Sequence, residues 1–159
     1  MIMLRYLDAN CLVKLVIQEN RSSELRTHFF QDGIVCATTT FCFYEALTVL
    51  KSKFVKKNRP DNISEEQYLA GCQELCALVE DQTVQLEEIR FSDRDTFRES
   101  EQLATAHKID LSDAFQLVTL KRGMFARLDA GRPVLISEDT GILKAAQKEK
   151  LEAISIGDL

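Results

Sequence analysis

Four carboxylates, Asp8, Glu45, Asp113 and Asp139, stand where apolar runs give way to helical patterns, and together they would make a hard, all-oxygen metal site. Asp8 directly follows the first apolar run in Tyr6-Leu7-Asp8-Ala9-Asn10, and Asp139 stands in the same relation to the run ending at Ser137. Either could simply cap a helix. Glu45 lies among Phe43, Tyr44, Ala46 and Leu47, near the start of a helix whose apolar residues cover much of its circumference. A carboxylate near that buried side needs a partner, because desolvating an isolated ion costs several kcal/mol. A metal cation would provide one; a place at the stripe's edge, helped by the helix dipole, is the plainer alternative. In Lys108-Ile109-Asp110-Leu111-Ser112-Asp113 the two aspartates are three apart, the spacing of a capping pair with Asp110 at the N-cap. Asp113 opens a mostly apolar helix and is the better ligand; Asp110 is the better cap. Four carboxylates with neither histidine nor thiolate among them suit Mg²⁺ or Mn²⁺ rather than zinc or copper. Without a cation such a cluster would be costly, since like charges raise one another's pKa.

The elements that must position these residues follow from periodicity. Leu4–Leu7, Ile34–Ala37, Val84–Ile89, Val134–Ile136 and Ile154–Ile156 are short apolar runs of the kind that form buried strands. Helical spacing occupies Ala9–Gln18, Ser22 to about Phe30, a long segment capped by Thr40, Ser64 to about Glu80 with an S-x-x-Q capping box, Ser92 to about His107, Asp110 to about Arg122, and Asp139 or Thr140 through Lys148. Asn58-Arg59-Pro60-Asp61-Asn62 is the clearest turn. Strands alternating with helices predict an α/β fold, a mostly parallel central sheet between helical layers, with functional groups beyond the carboxyl ends of the strands. No linker or repeat divides the chain, so residues 1–159 are expected to form a single domain.

Composition narrows the class. The 159 residues are 45% hydrophobic and carry 20 Lys plus Arg against 25 Asp plus Glu, a formal charge of −5. That excludes a disordered chain and a uniformly basic nucleic-acid binder, but not a local basic patch. No apolar run approaches the length of a membrane span, and Met1-Ile2-Met3-Leu4-Arg5 does not open a signal peptide, so a cytoplasmic protein is expected. The five cysteines, 11, 36, 42, 72 and 76, form no C-x-x-C pair and sit among apolar neighbours, as buried reduced thiols do. Zinc would have to join Cys72 and Cys76 to His28 or His107, without the usual ligand spacing.

At the acidic residues the sequence resembles the PIN-domain family, and within it the VapC-type ribonuclease toxins of toxin–antitoxin pairs. Tyr6-Leu7-Asp8-Ala9-Asn10 through Val13-Lys14-Leu15 is similar to the family's opening motif. Ala37-Thr38-Thr39 through Phe43-Tyr44-Glu45-Ala46-Leu47 resembles its second, Leu111-Ser112-Asp113-Ala114-Phe115 its third, and Val134 to Asp139 with Leu143, Ala145 and Ala146 its fourth. The resemblance implies a PIN-like three-layer fold and Asp8, Glu45, Asp113 and Asp139 around one or two Mg²⁺ or Mn²⁺ ions. It also implies endoribonuclease hydrolysis of RNA phosphodiesters, homodimerisation, and inhibition by a cognate antitoxin protein. Asn10 stands where the family commonly has Ser, and Ser137 where it has Thr; with Asp110 they would lie behind the ligands. The segment Lys121–Arg132 is longer than the family pattern predicts.

RNA would meet either of two basic runs: Lys51, Lys53, Lys56 and Lys57 with Arg59, or Lys121, Arg122, Arg127 and Arg132 around an aromatic, Phe125, that could stack a base. The plainer reading of the first is a solvated helix end. Two rivals to the nuclease remain open at this stage. One is a non-catalytic RNA- or protein-binding module on the same fold. The other is a phosphoryl-transfer enzyme of haloacid-dehalogenase type, which would want an Asp where Asn10 stands.

Overall fold

The computed structural model describes residues 2–128 and 131–159. Residues 129–130 of the long Lys121–Arg132 segment, and Met1 of the opening pentapeptide, lie outside the described residues. Five strands, β1 (Met3–Leu7), β2 (Ile34–Thr38), β3 (Val84–Leu86), β4 (Val134–Ser137) and β5 (Glu152–Ser155), pair in the order β3-β2-β1-β4-β5, every pair parallel. Helices α1 (Ala9–Val16), α2 (Ser22–Phe29), α3 (Thr40–Val55), α4 (Glu65–Glu80), α5 (Arg94–His107), α6 (Leu111–Arg122) and α7 (Thr140–Lys148) flank the sheet.

Alternation along the strands divides the core between two faces. Leu7, Cys36, Val84 and Ile136 pack with α1 to α4, while Leu4, Tyr6, Ala37 and Leu135 pack with α5 to α7. Both faces of every central strand are therefore apolar, which is why these strands read as continuous rather than alternating runs. The order of strands reverses at β1: the chain leaves it for β2 and β3 on one side, then returns to its other edge as β4. In parallel sheets the crevice beyond the carboxyl ends at such a reversal is where ligands bind. Asp8 and Asp139 each follow a strand at that point.

The expected elements are present, with four corrections. Thr39, not Thr40, caps α3, its hydroxyl accepting from the Cys42 amide at 3.2 Å. The third strand spans only Val84–Leu86, because Glu87 and the residues after it leave the ladder. The last strand stops at Ser155, and Ile156 begins a 3-10 turn instead. Of the five cysteines, Cys11, Cys36 and Cys42 are buried, but Cys72 is half-buried and Cys76 exposed on the outer face of α4. The Ser64–Gln67 capping box forms as expected.

Candidate metal centre

Asp8 is held in place from three directions. The Leu7 carbonyl, last of β1, accepts from the Thr38 hydroxyl at 2.7 Å and from the Gln116 side-chain amide at 3.1 Å, all in the buried core. These bonds pin the peptide that precedes the carboxylate. One carboxylate oxygen, Oδ1, then accepts from the Cys11 amide at 2.8 Å, capping α1, while Oδ2 accepts from the Ser137 hydroxyl. Burial pushes Asp8 above the usual carboxylate range, with the Ser137 and Cys11 hydrogen bonds pulling the other way and Asp139 adding to the rise.

Ser137 joins the two strand ends, because its oxygen also accepts from the Asp139 amide at 2.9 Å. Asp139 caps α7, accepting from the Gly141 amide at 2.6 Å and the Ile142 amide at 3.3 Å. Its role as a cap is therefore real, and so is Asp8's. Capping uses the same Oδ1 position in both and leaves the second oxygen of Asp139 without a hydrogen-bond donor.

The other two carboxylates come from helices that lean over this crevice. Glu45, in the second turn of α3, accepts from the Ser112 hydroxyl at 3.3 Å, which ties α3 to the start of α6. Burial raises Glu45, and Asp110, Asp8 and Asp139 raise it further. Helix α5 ends on Lys108 in the left-handed conformation (φ 55°), which turns the chain so that α6 starts toward the crevice. Asp110 occupies the N-cap position of α6 without capping it; its side chain accepts no hydrogen bond from the helix, so the predicted capping pair does not form. Asp113 is pushed up to about 7, first by burial and then by Glu45, Asp139, Asp8 and Asp110. Beneath them the buried Cys42 thiol, raised to about 12 mainly by burial, also feels Asp8, Asp113 and Glu45. The structure thus brings Asp8, Glu45, Asp113, Asp139 and Asp110 into one mutually repelling cluster.

None of the five forms an ion pair with a lysine, arginine or histidine among the described residues. Nor do three carboxylate, imidazole or thiol side chains among them stand close enough to grip an ion unaided. A donor set of separated carboxylate oxygens fits an ion that keeps several waters, as Mg²⁺ does, and does not fit the closed tetrahedral cage of structural zinc.

The remaining sequence-selected residues fall into different places. Asn10 is exposed on the first turn of α1, with no side-chain hydrogen bond to the cluster. Lys53 is only 7% exposed, its ammonium 2.5 Å from both Glu19 and Asp61. Burial alone would lower its pKa, but those two carboxylates hold it above the usual value. It is a structural cation rather than a surface one. Lys51, Lys56 and Lys57 are exposed, toward the far end of α3 from Glu45; at 1.5 Å per residue Lys56 is about 16 Å along the axis. Arg122 is tied to Glu99 and to Thr96, Lys121 to Glu99 and Glu149. Arg127 and Arg132 are exposed. Phe125 is not available for stacking: it is 2% exposed, edge-on to Tyr6 at 5.6 Å.

Gln116 has no counterpart among the residues singled out above, although it fixes the Asp8 peptide. Its signal is a lone amide in Ala114-Phe115-Gln116-Leu117-Val118, since a buried amide must find partners. Here it donates to Leu7 and accepts from the Cys42 thiol at 3.5 Å.

The fold itself is shared with solved structures. PAE2754 from Pyrobaculum aerophilum superposes with a TM-score of 0.60 at 18% identity, covering 99% of this chain and 94% of that one. VapBC-1 from nontypeable Haemophilus influenzae superposes at 0.53 and 14% identity, covering 98% and 99%. The chain has a PIN-like three-layer α/β fold, shared with both structures. No protein-family model matches it, and no curated protein matches it in sequence. Within the PIN fold, the carboxyl ends of β1 and β4 carry Asp8 and Asp139, and α3 and α6 supply Glu45 and Asp113. No helix among the described residues is long and apolar enough to cross a membrane.

Proposed function

We propose that this protein is a Mg²⁺- or Mn²⁺-dependent endoribonuclease acting at the Asp8, Glu45, Asp113 and Asp139 cluster, and that it is the toxin of a toxin–antitoxin pair. The observation that carries this reading is a set of converging carboxylates at the strand-order reversal with no lysine, arginine or histidine among the described residues paired to them. Desolvated like charges of this kind are stabilised by a bound cation, and their hard oxygen donors select a hard one. Such an ion, when bound, lowers the pKa of a coordinated water and offsets charge developing on a phosphate.

The chain's own groups have definite tasks in this scheme. Ser137 orients Asp8 and holds the Asp139 backbone; Thr38 and Gln116 fix the peptide before Asp8; Ser112 aims Glu45. Burial and the neighbouring carboxylates push Asp113 up to about 7, so near neutral pH its carboxyl is divided between the protonated and ionised forms, and a cation among its neighbours would favour the ionised one. The acidic cluster repels phosphate until it is neutralised, so RNA affinity at this end of the sheet depends on the cation. Lys56 and Lys57, exposed at the end of α3 and without an ion pair among the described residues, and Lys51, whose ammonium lies over the Phe54 and Tyr68 rings, would attract the RNA backbone at a distance from the cut.

The fold of VapBC-1 supports an antitoxin-type protein partner, and the family resemblance supports a homodimeric, cytoplasmic toxin folded as one domain. The decisive experiment is cleavage of mixed structured RNAs with Mg²⁺, with chelator, and with Asp8→Asn. Metal-dependent cutting lost in the variant, with unchanged thermal unfolding, is the expected result; equal cutting by both proteins would place the chemistry elsewhere. One observation favours a second reading, a non-catalytic RNA- or protein-binding module: among the described residues, no three ligands stand close enough to grip an ion unaided. Binding of several RNA classes with no metal-dependent cutting would establish it.

A further inference from the structure

Beside the acidic cluster, two adjoining clefts of about 400 and 560 Å³ share the rings of Phe41 and Phe91 as their walls. The first also contains Glu45, Asp110 and Ser112, so it is continuous with the acidic end of the sheet. The second opens past Tyr44 to Arg90. Phe41 and Glu45 are four residues apart on α3, with Tyr44 between them at three, so one helical face presents two aromatic rings and a cluster carboxylate within a single turn. Both rings lie open, Phe41 39% and Tyr44 69% exposed.

The walls are rigid. Phe41 meets Phe91 edge to face at 4.8 Å, and each meets the buried Phe115 the same way, at 5.3 and 4.9 Å. A floor of ring carbon rimmed by the carboxylates of Glu45 and Asp110 repels a phosphate and accepts a flat neutral group whose edge carries N–H donors. Ser112 and Asp110 stand at that edge as acceptors. An aliphatic side chain would leave those acceptors unpaired, and a base stacked within a duplex has no free face to offer.

We propose that the Phe41–Phe91 cleft binds an unpaired nucleobase of the RNA next to the phosphate being cut. This rests on the nuclease reading above.

The test compares wild type, Phe41→Leu and Tyr44→Ala on single-stranded oligoribonucleotides, intact or with one abasic nucleotide beside the cleaved bond, in Mg²⁺. One stacked base by alanine substitution is equivalent to roughly a 5- to 150-fold change in affinity, so Phe41→Leu should raise KM about tenfold with little change in kcat. The abasic substrate should show the same loss with wild type, and Phe41→Leu should add nothing further to it. Tyr44, the most exposed of the rings, gives a second variant that leaves the core untouched. Unchanged KM in both variants, or losses from ring and base that multiply, would overturn the base subsite and leave the nuclease intact. Preferential filling of the cleft by an apolar peptide, with RNA cleavage indifferent to both variants, would make it a protein-docking groove. Absence of metal-dependent cutting by wild type itself would refute the nuclease reading and this inference together.

Discussion

Removing the charge of Asp113 should stabilise the metal-free protein at alkaline pH and abolish most of its response to Mg²⁺. Asp113 ordinarily titrates at 3.8 and in the folded chain is pushed up to about 7, by burial first and by its acidic neighbours second. Its folded-state pKa is raised, so between those two values the folded chain holds a proton that the unfolded chain has lost. Stability from this group is therefore full below pH 3.8, declines as pH rises toward 7, and carries the whole penalty above it. At 1.36 kcal/mol for each pH unit the ceiling is roughly 4 kcal/mol. Asp113 keeps some access to water and shares its proton with coupled neighbours, which brings the expectation down to about 2 kcal/mol. In a chain of 159 residues that corresponds to roughly 4–8 °C in Tm.

The assay is thermal unfolding of wild type and Asp113→Asn in EDTA across that pH range, repeated with millimolar Mg²⁺. The variant should melt about 4–8 °C above wild type near pH 8 and alongside it near pH 4. Mg²⁺ should raise the wild-type Tm at pH 8 and move the variant much less, because one ligand and one repelling charge are gone. Equal melting of the two proteins at pH 8 in EDTA, with equal shifts on adding Mg²⁺, would mean that Asp113 neither suffers from its neighbours nor meets the cation.

Gln116→Leu keeps the volume but strips one of the two donors from the buried Leu7 carbonyl, so it should cost about 1–3 kcal/mol and slow cleavage by loosening Asp8; an unchanged urea midpoint would refute that role. Ser137→Ala removes the hydroxyl shared by Asp8 and the Asp139 amide, and should lower cleavage at saturating Mg²⁺ by roughly 10- to 100-fold, against which wild-type kinetics would count decisively. Lys53→Met should lower Tm while leaving the salt dependence of RNA binding as it was, since its charge is already taken by Glu19 and Asp61; a shallower salt slope would return Lys53 to the RNA surface.

Much of the fold is legible in sequence because each strand is a short apolar run and most helix starts carry their own cap, as with Asp8, Ser64, Asp93 and Asp139. The cluster is legible for the same reason, since its members sit at or just inside those starts. What stays hidden depends on contacts between distant segments. Nothing local to Lys53 announces Glu19 and Asp61 folding over it, and nothing local to Phe125 announces Tyr6 on the neighbouring layer. Asp110 has the residue type and position of a cap but not the bond. Phe91 is an isolated aromatic in sequence and becomes a cleft wall only when Phe41 and Phe115 meet it.

Capping and metal binding are not competing explanations of these aspartates. Helices α1, α3 and α7 each begin where a parallel strand ends and α6 begins beside Glu45, so four helix starts, each equivalent to roughly half a positive charge, lie at the cluster's end of the sheet. Four helix starts thus offer about +2 against the −4 of Asp8, Glu45, Asp113 and Asp139, and the amides that cap through Asp8 Oδ1 and Asp139 Oδ1 deliver part of it directly. This partial compensation lets the chain fold with its carboxylates gathered and still leaves about −2, which one divalent ion, on the function proposed above, would offset. It also explains why Asp113 is the member driven toward neutrality: it accepts no capping bond, and stands half-buried among charges that the helix ends have only partly met. A cluster built this way is stable enough to persist without metal and, on the function proposed above, keeps the negative charge that would recruit it.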